Sequence, residues 1–245
     1  MQGSIIFGQV LTVGTTSYSI TSTTLADGSY NFAAIFQDVA GNLSPGGPAL
    51  PVTIDTVAPT LTGSVFNFLT SQNLQFTFSE DVAGGISVAN FGLKDVTNNV
   101  NVPSGSLALS YAPNTATVTF PGFSNGILTD ADWEMKVSGD VRDIAGNNFA
   151  GTLFDFFFIN GDANRDRRVN LTDFNILATN FGQTNRTFAQ GDFTYDGTVN
   201  LQDFNIVASR FGNSLGASAA PSGGASQSIF GDGARIGEDV QDLIA

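Results

Sequence analysis

The sequence predicts a multidomain chain in which all-β domains are followed by a small all-α module made of two loop–helix repeats. Three observations predict this order. Residues 161–182 return thirty residues later as residues 191–212, with thirteen of the twenty-two aligned positions identical, which indicates internal duplication. Short runs of alternating apolar and polar residues, typical of strands, fill much of the chain before the duplication. They predict strands at residues 5–9, 30–36, 74–78, 86–96 and 133–137, among others. Cysteine and histidine are absent, so neither disulfides nor the commonest zinc ligand can stabilise the small module.

Each copy of the duplicated unit places oxygen-bearing residues at the positions of a calcium-binding loop. Calcium takes about six to eight oxygens, and a loop of about twelve residues supplies them from positions 1, 3, 5, 7, 9 and 12, position 7 through its backbone carbonyl. The sequence therefore predicts two Ca²⁺ ions. The predicted ligands are Asp162, Asn164, Asp166, Arg168, Asn170 and Asp173 in the first repeat, and Asp192, Thr194, Asp196, Thr198, Asn200 and Asp203 in the second.

A short amphipathic helix is predicted after each loop. Its apolar residues recur at helical spacing: Phe174, Leu177, Ala178 and Phe181, then Phe204, Val207, Ala208 and Phe211. Val169 and Val199, at position 8 of the loops, are expected to let the two loops pair. An alternative interpretation, that these are Asp- and Asn-rich turns in a linker, does not explain the acid at position 12 or the helix that follows it.

The paired repeats resemble a type I dockerin, the EF-hand-like calcium module that attaches secreted proteins to cohesin domains. Dockerins carry Asp at position 12, as Asp173 and Asp203 do here. Arg167 departs from the usual Gly at position 6 and costs roughly 1 kcal/mol if its φ is positive. Thr194 is a weaker ligand than Asn164, so we expect two calcium affinities that differ.

The resemblance also implies a cohesin-domain partner, bound in either of two orientations because the two repeats are nearly the same. The positions that it implies for partner contact are Leu171 and Thr172 in the first repeat, and Leu201, Gln202 and Arg210 in the second. Arg210, opposite Asn180 in the first repeat, is expected to bias the choice of orientation.

The remaining chain divides into three predicted segments. Residues 1–56 contain Ala26-Asp-Gly-Ser-Tyr30 and Asp38-Val-Ala-Gly-Asn42, and through these motifs they resemble the C-terminal half of a bacterial Ig-like domain. Residues 57–160 contain Phe76-Thr-Phe-Ser-Glu-Asp-Val82 and Asp143-Ile-Ala-Gly-Asn147, and they resemble a complete Ig-like β-sandwich of the kind found in surface-layer and adhesin proteins. The dockerin is assigned to residues 161–213. Residues 214–245 are predicted to be a flexible linker with a short C-terminal helix at 236–244. Trp133 and the Phe-rich strand at 153–159 are expected in the core.

Two Asp-x-Ala-Gly-Asn segments, at 38–42 and 143–147, leave two interpretations open. The side chains of Asp and Asn can cap tight turns while Gly supplies a positive φ. The other interpretation is calcium binding between tandem domains, with Asp55 contributing.

Composition bears on function and location. A net charge of −13 argues against nucleic acid and anionic membrane surfaces as partners. Only three glutamates are present, Glu80, Glu134 and Glu238, which makes a glycosidase site in these residues implausible. The chain is predicted not to be an enzyme. Because its first residues do not form a signal peptide, we expect it to be part of a longer extracellular or cell-surface protein.

Three functions remain open from the sequence. The first is a secreted calcium-binding modular protein whose dockerin attaches it to a cohesin-bearing partner, with Ig-like domains as spacers. The second is the C-terminal, non-catalytic part of an extracellular polysaccharide-degrading enzyme, whose associated modules could contact polysaccharide. The third is a surface adhesin or surface-layer component in which calcium is purely structural.

Overall fold

Ten β-strands precede two α-helices in the computed structural model, which describes residues 24–216. Single turns of 3₁₀-helix connect some of these elements. The strands are β1 Gly28–Phe32, β2 Leu50–Ile54, β3 Leu61–Asn67, β4 Asn73–Phe78, β5 Phe91–Asp95, β6 Val100–Asn101, β7 Ala108–Ala112, β8 Thr115–Thr119, β9 Ala131–Val137 and β10 Thr152–Phe158, and the helices are α1 Leu171–Asn180 and α2 Leu201–Arg210.

Eight of these strands form two antiparallel four-stranded sheets, in the orders β3-β4-β8-β7 and β10-β9-β5-β6. Aromatic side chains fill the space between the sheets. Phe76 of β4 lies 5.8 Å from Phe91 and 5.9 Å from Phe154 of the opposite sheet, measured between ring centroids. Phe66 of β3 approaches Phe156 of β10 to 4.6 Å. The two sheets therefore form a sandwich around one apolar core, although its Ig-like identity stays a prediction.

Strand periodicity explains which residues enter this core. Leu74, Phe76 and Phe78 alternate along β4, and each is at most 2% exposed, because successive side chains on a strand point to opposite faces. Trp133 of β9 is also 2% exposed, and its indole N–H donates to the carbonyl of Thr129 at 3.1 Å. The predicted core position of Trp133 is confirmed.

Two predicted strands are shorter in the structure. The expected strand from Ile86 to Val96 begins only at Phe91, because Ser87 and Asn90 form a capping box around a 3₁₀ turn. The expected alternation from Tyr30 to Phe36 ends at Phe32, in the hairpin of β1 and β2. The predicted strand around residues 5–9 and the helix at 236–244 lie outside the described residues.

The helical module packs directly against the sandwich. The two form one compact unit, which ends at Leu215. Phe188, between the two repeats, is fully buried and lies 5.4 Å from Phe158 of β10. Its backbone N–H donates to the carbonyl of Leu69 at 2.8 Å. None of the helices in the described part of the chain is long and apolar enough to cross a membrane.

The two helices are buried in the same pattern, position by position. Leu177 and Val207 are each 1% exposed, and the rings of Phe174 and Phe204 meet at 6.1 Å. The predicted apolar face is realised only in its N-terminal half. Its other members, Ala178, Phe181, Ala208 and Phe211, are exposed. Phe181 and Phe211 follow the last residue of their helices and so do not continue the helical face.

Candidate metal centre

The first loop gathers three carboxylates around one point. Ligand oxygens of Asp162, Asp166 and Asp173 all lie within 4.8 Å of one another. Asp162 and Asp173 are fully buried, whereas Asp166 is exposed. Burial of acidic groups so close together is unfavourable unless a cation balances them. The structure thus brings together three of the ligands predicted from their spacing, and their oxygens have the chemistry that calcium prefers.

Backbone amides hold these carboxylates in place. Asp173, in the first turn of α1, accepts from the N–H of Ala163 and from that of Asn170, both at 2.9 Å. Asp162 accepts from the N–H of Asp166 at 3.1 Å and from that of Arg167 at 2.9 Å. Asp173, the acid at position 12, therefore connects the helix to the start of the loop. Asp162, the acid at position 1, holds the turn of the backbone at Asp166 and Arg167.

The second loop repeats these bonds thirty residues later. Asp203 accepts from the N–H of Phe193 at 2.8 Å and from that of Asn200 at 2.9 Å. Asp192 accepts from the N–H of Asp196 at 3.2 Å and from that of Gly197 at 2.9 Å. Asp192 is 2% exposed and Asp203 is fully buried. The duplication in sequence is thus also a duplication of loop geometry.

Position 9 has a role in helix capping. The side-chain oxygens of Asn170 and Asn200 each accept from the N–H two residues later, at 2.7 Å. Such a cap satisfies one of the free amides at the start of a helix. These residues position the helix that carries the acid of position 12, and their predicted role as ligands stays a prediction.

The other predicted ligands lie along the loop surface. The side-chain oxygen of Asn164 accepts from the N–H of Asp166 at 3.1 Å. The hydroxyl of Thr194 donates to Asp192 at 3.4 Å, a long bond for a hydroxyl. At position 7, the carbonyl of Thr198 accepts from the side chain of Asn200 at 3.3 Å, while Arg168 is exposed.

Both loops contain left-handed residues at positions 4 and 6. Position 6 has φ +70° at Arg167 and +81° at Gly197, so the first repeat accepts the strain that Gly avoids in the second. Position 4 has φ +61° at Arg165 and +62° at Tyr195. The left-handed backbone at position 4 was not predicted from the sequence, because neither Arg nor Tyr indicates a positive φ.

Burial perturbs the acids at position 1. It raises the pKa of Asp162 to about 6, a rise that the N–H of Arg167 opposes and that the nearby Asp173 reinforces. Burial also raises the pKa of Asp192, again opposed by a backbone N–H, here that of Gly197. Removing water penalises the charged form of a carboxyl group. A bound cation would supply the positive charge that these sites need.

The predicted pairing of the two loops through their valines is wrong. The backbone N–H of Val169 donates to Asn213 at 3.0 Å, and its carbonyl accepts from Gly212 at 2.8 Å. Val199 makes the equivalent bonds to Gln183 and Gly182 at 3.0 and 2.8 Å. Each loop therefore pairs with the segment after the other repeat's helix, so neither repeat is complete without the other.

The residues predicted to contact a partner lie mostly on the surface. Leu171 and Leu201, at the first position of each helix, are 61% and 63% exposed. Thr172 and Gln202 are exposed beside them. Arg210 differs, because its Nε donates to Asp130 of the sandwich at 2.9 Å. Its role in partner contact stays a prediction, and the ion pair within the chain was not predicted from the sequence.

A second acidic group lies where the β1–β2 hairpin meets the sandwich. Carboxylate oxygens of Asp55, Glu80 and Asp143 lie within 4.8 Å of one another. Burial and then the charges of Asp55 and Asp143 raise the pKa of Glu80. Asp143 accepts from the N–H groups of Gly146 and Asn147, as the turn interpretation expects. Whether this group also binds calcium stays a prediction.

Two loop–helix repeats with buried acids at positions 1 and 12 and with crossed backbone pairing define a paired loop–helix module whose oxygens suit a hard cation. Comparison with protein families gives its identity: the profile described as "Dockerin type I domain" matches residues 160–212. These residues form a dockerin type I domain, one residue from the boundaries that the sequence predicted.

Comparison with individual proteins adds one solved structure. It is described as "Type II cohesin-dockerin domain from Bacteroides cellolosolvens", is 36% identical over the matched part and gives a TM-score of 0.23. The match covers 26% of this chain and 98% of that one. No curated protein matches this chain.

Proposed function

We propose that this chain is a non-catalytic attachment protein whose dockerin binds a cohesin domain of another protein in a calcium-dependent manner. The sandwich serves as a spacer, and the assembly operates outside the cell or at its surface. The observation that carries the proposal is the symmetric pair of repeats. Each combines buried acids at positions 1 and 12 of its loop with an exposed leucine at the start of its helix.

The acidic loops account for the dependence on calcium. In each repeat the acid at position 12 caps the start of the loop and also lies in the first turn of the helix. An ion that binds these acids would fix the helix relative to the loop, because metal binding to such a site is coupled to its folding. Helix position then decides where Leu171 and Leu201 are presented.

The exposed leucines account for partner binding. Large apolar side chains on a surface are common singly, but two at equivalent positions of a duplicated module form a repeated surface. Binding interfaces concentrate their free energy in a few central side chains. We therefore assign Leu171 and Leu201, with their polar neighbours Thr172 and Gln202, to the partner-binding surface.

A binding assay with a panel of type I and type II cohesins tests this function. We expect the full chain to bind at least one cohesin in calcium and to lose binding in excess chelator. An Asp173→Asn, Asp203→Asn double variant should behave in calcium as the unmodified chain does in chelator. Asp155→Asn, an exposed change on β10, is the control. Binding that is equal with and without calcium would contradict the proposal.

A further inference from the structure

Arg165, at position 4 of the first calcium loop, is inserted against the sandwich. Its guanidinium carbon lies 4.1 Å from the ring centroid of Phe157 and 4.3 Å from that of Phe68. One guanidinium nitrogen donates to the backbone carbonyl of Phe157 at 3.0 Å. Stacking on two aromatic faces and a hydrogen bond fix this cation on the sandwich side of the loop.

Arg167, at position 6, is held by the same surface. Its guanidinium carbon lies 4.5 Å from the ring of Phe157, and it forms an ion pair with Asp132 of β9. The two side chains of that pair are only 20% and 21% exposed. A charge pair shielded to this degree is screened less by salt than one on the open surface.

The second loop also contacts the sandwich but brings no cation to it. The hydroxyl of Tyr195, at position 4, accepts from the side-chain amide of Gln72 at 3.1 Å, and its ring stacks on Phe188 at 5.7 Å. Position 6 is Gly197, which has no side chain to place. The two calcium loops therefore differ in how their affinity can depend on the sandwich.

We propose that the sandwich is a functional part of the first calcium site, with Asp132, Phe68 and Phe157 acting as positioning residues that hold two of the loop's three arginines, Arg165 and Arg167, away from the ion. This inference rests on the calcium dependence proposed above and concerns how that site is controlled. Two guanidinium groups within a calcium loop oppose a divalent cation. Asp132 and the aromatic rings hold the guanidinium groups of Arg165 and Arg167 on the sandwich side of the loop. These contacts also support the left-handed backbone at both arginines.

Calcium binding and docking of the sandwich are consequently linked. Thermodynamic linkage is reciprocal: if the docked sandwich favours calcium in the first loop, calcium favours the docked sandwich. The attachment module is thereby joined to its spacer more firmly when calcium is present. The second loop lacks the part of this coupling that depends on arginines, because it has no cation to place on the sandwich.

Calcium titrations of full-length variants test the coupling. An Asp196→Asn background weakens the second site so that the titration reports the first, and an Asp166→Asn background does the reverse. We expect Asp132→Asn to lower the affinity of the first site by about fivefold to tenfold, at the low end of the usual range of coupling between sites. The second site should change by less than about twofold. Asp155→Asn, which makes the same charge change on the neighbouring strand, should leave both sites within about twofold.

The double-mutant cycle of Asp132→Asn with Arg167→Gly separates a specific pair from general electrostatics. The effect of Asp132→Asn should largely vanish when Arg167 has been replaced. Equal effects of Asp132→Asn and Asp155→Asn, equal effects on both loops, or an effect that persists without Arg167 would each overturn the inference. Absence of calcium binding by the unmodified chain would overturn the proposed function as well.

A spectroscopic measurement gives an independent readout. Trp133 is the single tryptophan of the chain, is buried and is adjacent to Asp132 in β9. We expect its fluorescence to change during a calcium titration at the midpoint of the first site, and Asp132→Asn to abolish that change. No change in Trp133 fluorescence while calcium binds would overturn the reciprocal half of the coupling.

Discussion

At the scale of single residues, the acids at position 1 show why the proposed calcium sites are unfavourable without an ion. Asp162 is fully buried, yet it accepts from two backbone N–H groups that favour its charged form. Burial outweighs these bonds and raises its pKa to about 6. The ionised carboxylate is therefore costly without a cation and available as a ligand once a cation arrives.

A pH dependence follows from this raised pKa. Because the pKa of Asp162 in the folded chain lies above the ordinary aspartate value of 3.8, burial of this residue destabilises the ion-free fold above about pH 6, and this cost fades as the pH falls toward 4. Protons then compete with calcium for the same oxygens. In the Asp196→Asn background, we expect calcium affinity to fall by about tenfold from pH 7 to pH 5. The ion-free chain should gain stability to urea over the same interval.

The residue scale also shows what the sequence could and could not predict about the site. The acids at positions 1, 5 and 12 followed from spacing, because a calcium loop needs oxygens at set intervals. Asn170 and Asn200 were predicted as calcium ligands from the same spacing, but their capping of the two helices was not predicted. Arg165 and Tyr195 were missed, since their positive φ depends on loop geometry and their contacts depend on a sandwich distant in sequence.

At the scale of elements, the crossed pairing of loops and post-helix segments makes two short repeats into one folding unit. Helices of ten residues are marginal in isolation. Here each helix is closed at its start by an Asn–Asp capping box, and packing of Leu177 and Val207 stabilises the pair. The close approach at Gly191 depends on Gly, since a Cβ there would lie 2.8 Å from the Cα of Leu177.

The symmetry of the helices leads to a prediction about orientation. A charge introduced by Leu171→Glu or by Leu201→Glu alone should weaken cohesin binding by less than about 1 kcal/mol, because the other repeat can take its place. Both changes together should cost about 2 kcal/mol or more, well above the sum of the single effects. The measurement is a double-mutant cycle against a cognate cohesin at saturating calcium.

Leu153→Glu, at an exposed leucine of the sandwich, is the matched control for this cycle. Because Arg210 pairs with Asp130 while Asn180 donates to the carbonyl of Ile176 in its own helix, the two single effects should be unequal. If one single variant abolishes binding and the other has no effect, a single orientation is used and the prediction is wrong.

Strands were predicted from the sequence with different success in different regions. Alternation in β4 and β9 located strands because both sheets bury one face against a shared core. The pattern did not indicate that residues 86–90 form a turn and not an extended strand. Alternation also failed at Phe36, which is 60% exposed. Periodicity alone therefore marks apolar positions but does not show whether another element covers them.

At the scale of the whole molecule, the apolar core is continuous from the sandwich into the dockerin. Phe188 joins them, with ring centroids 5.9 Å from Phe68, 5.4 Å from Phe158 and 5.0 Å from Phe193 of the second loop. The sequence predicted two separate domains with a boundary at residue 160. It could not predict this contact between the sandwich and the dockerin, because the segment around Phe188, between the repeats, has no sequence pattern that indicates burial.

This continuity sets the expected response to calcium removal. The dockerin has about fifty residues, no disulfide and four buried aspartates, Asp162, Asp173, Asp192 and Asp203. So small a domain buries little apolar surface for its length, and repulsion among its acids opposes folding without a cation. We expect an isolated segment of residues 160–216 to lose its helical circular dichroism in chelator and to regain it with calcium.

In the full chain, contact with the sandwich should preserve part of the dockerin when calcium is removed. Hydrogen exchange can resolve this, because amide protection reports local opening in each element. In chelator we expect α1 and α2 to lose protection while β4, β8 and β9 keep theirs, since the sandwich core does not depend on the loops. The buried segment around Phe188 should lose less protection than the helices, because its contacts to Phe68 and Phe158 need no ion. Unchanged helix protection in chelator would show that apolar packing alone folds the module, and calcium would then be needed only for binding.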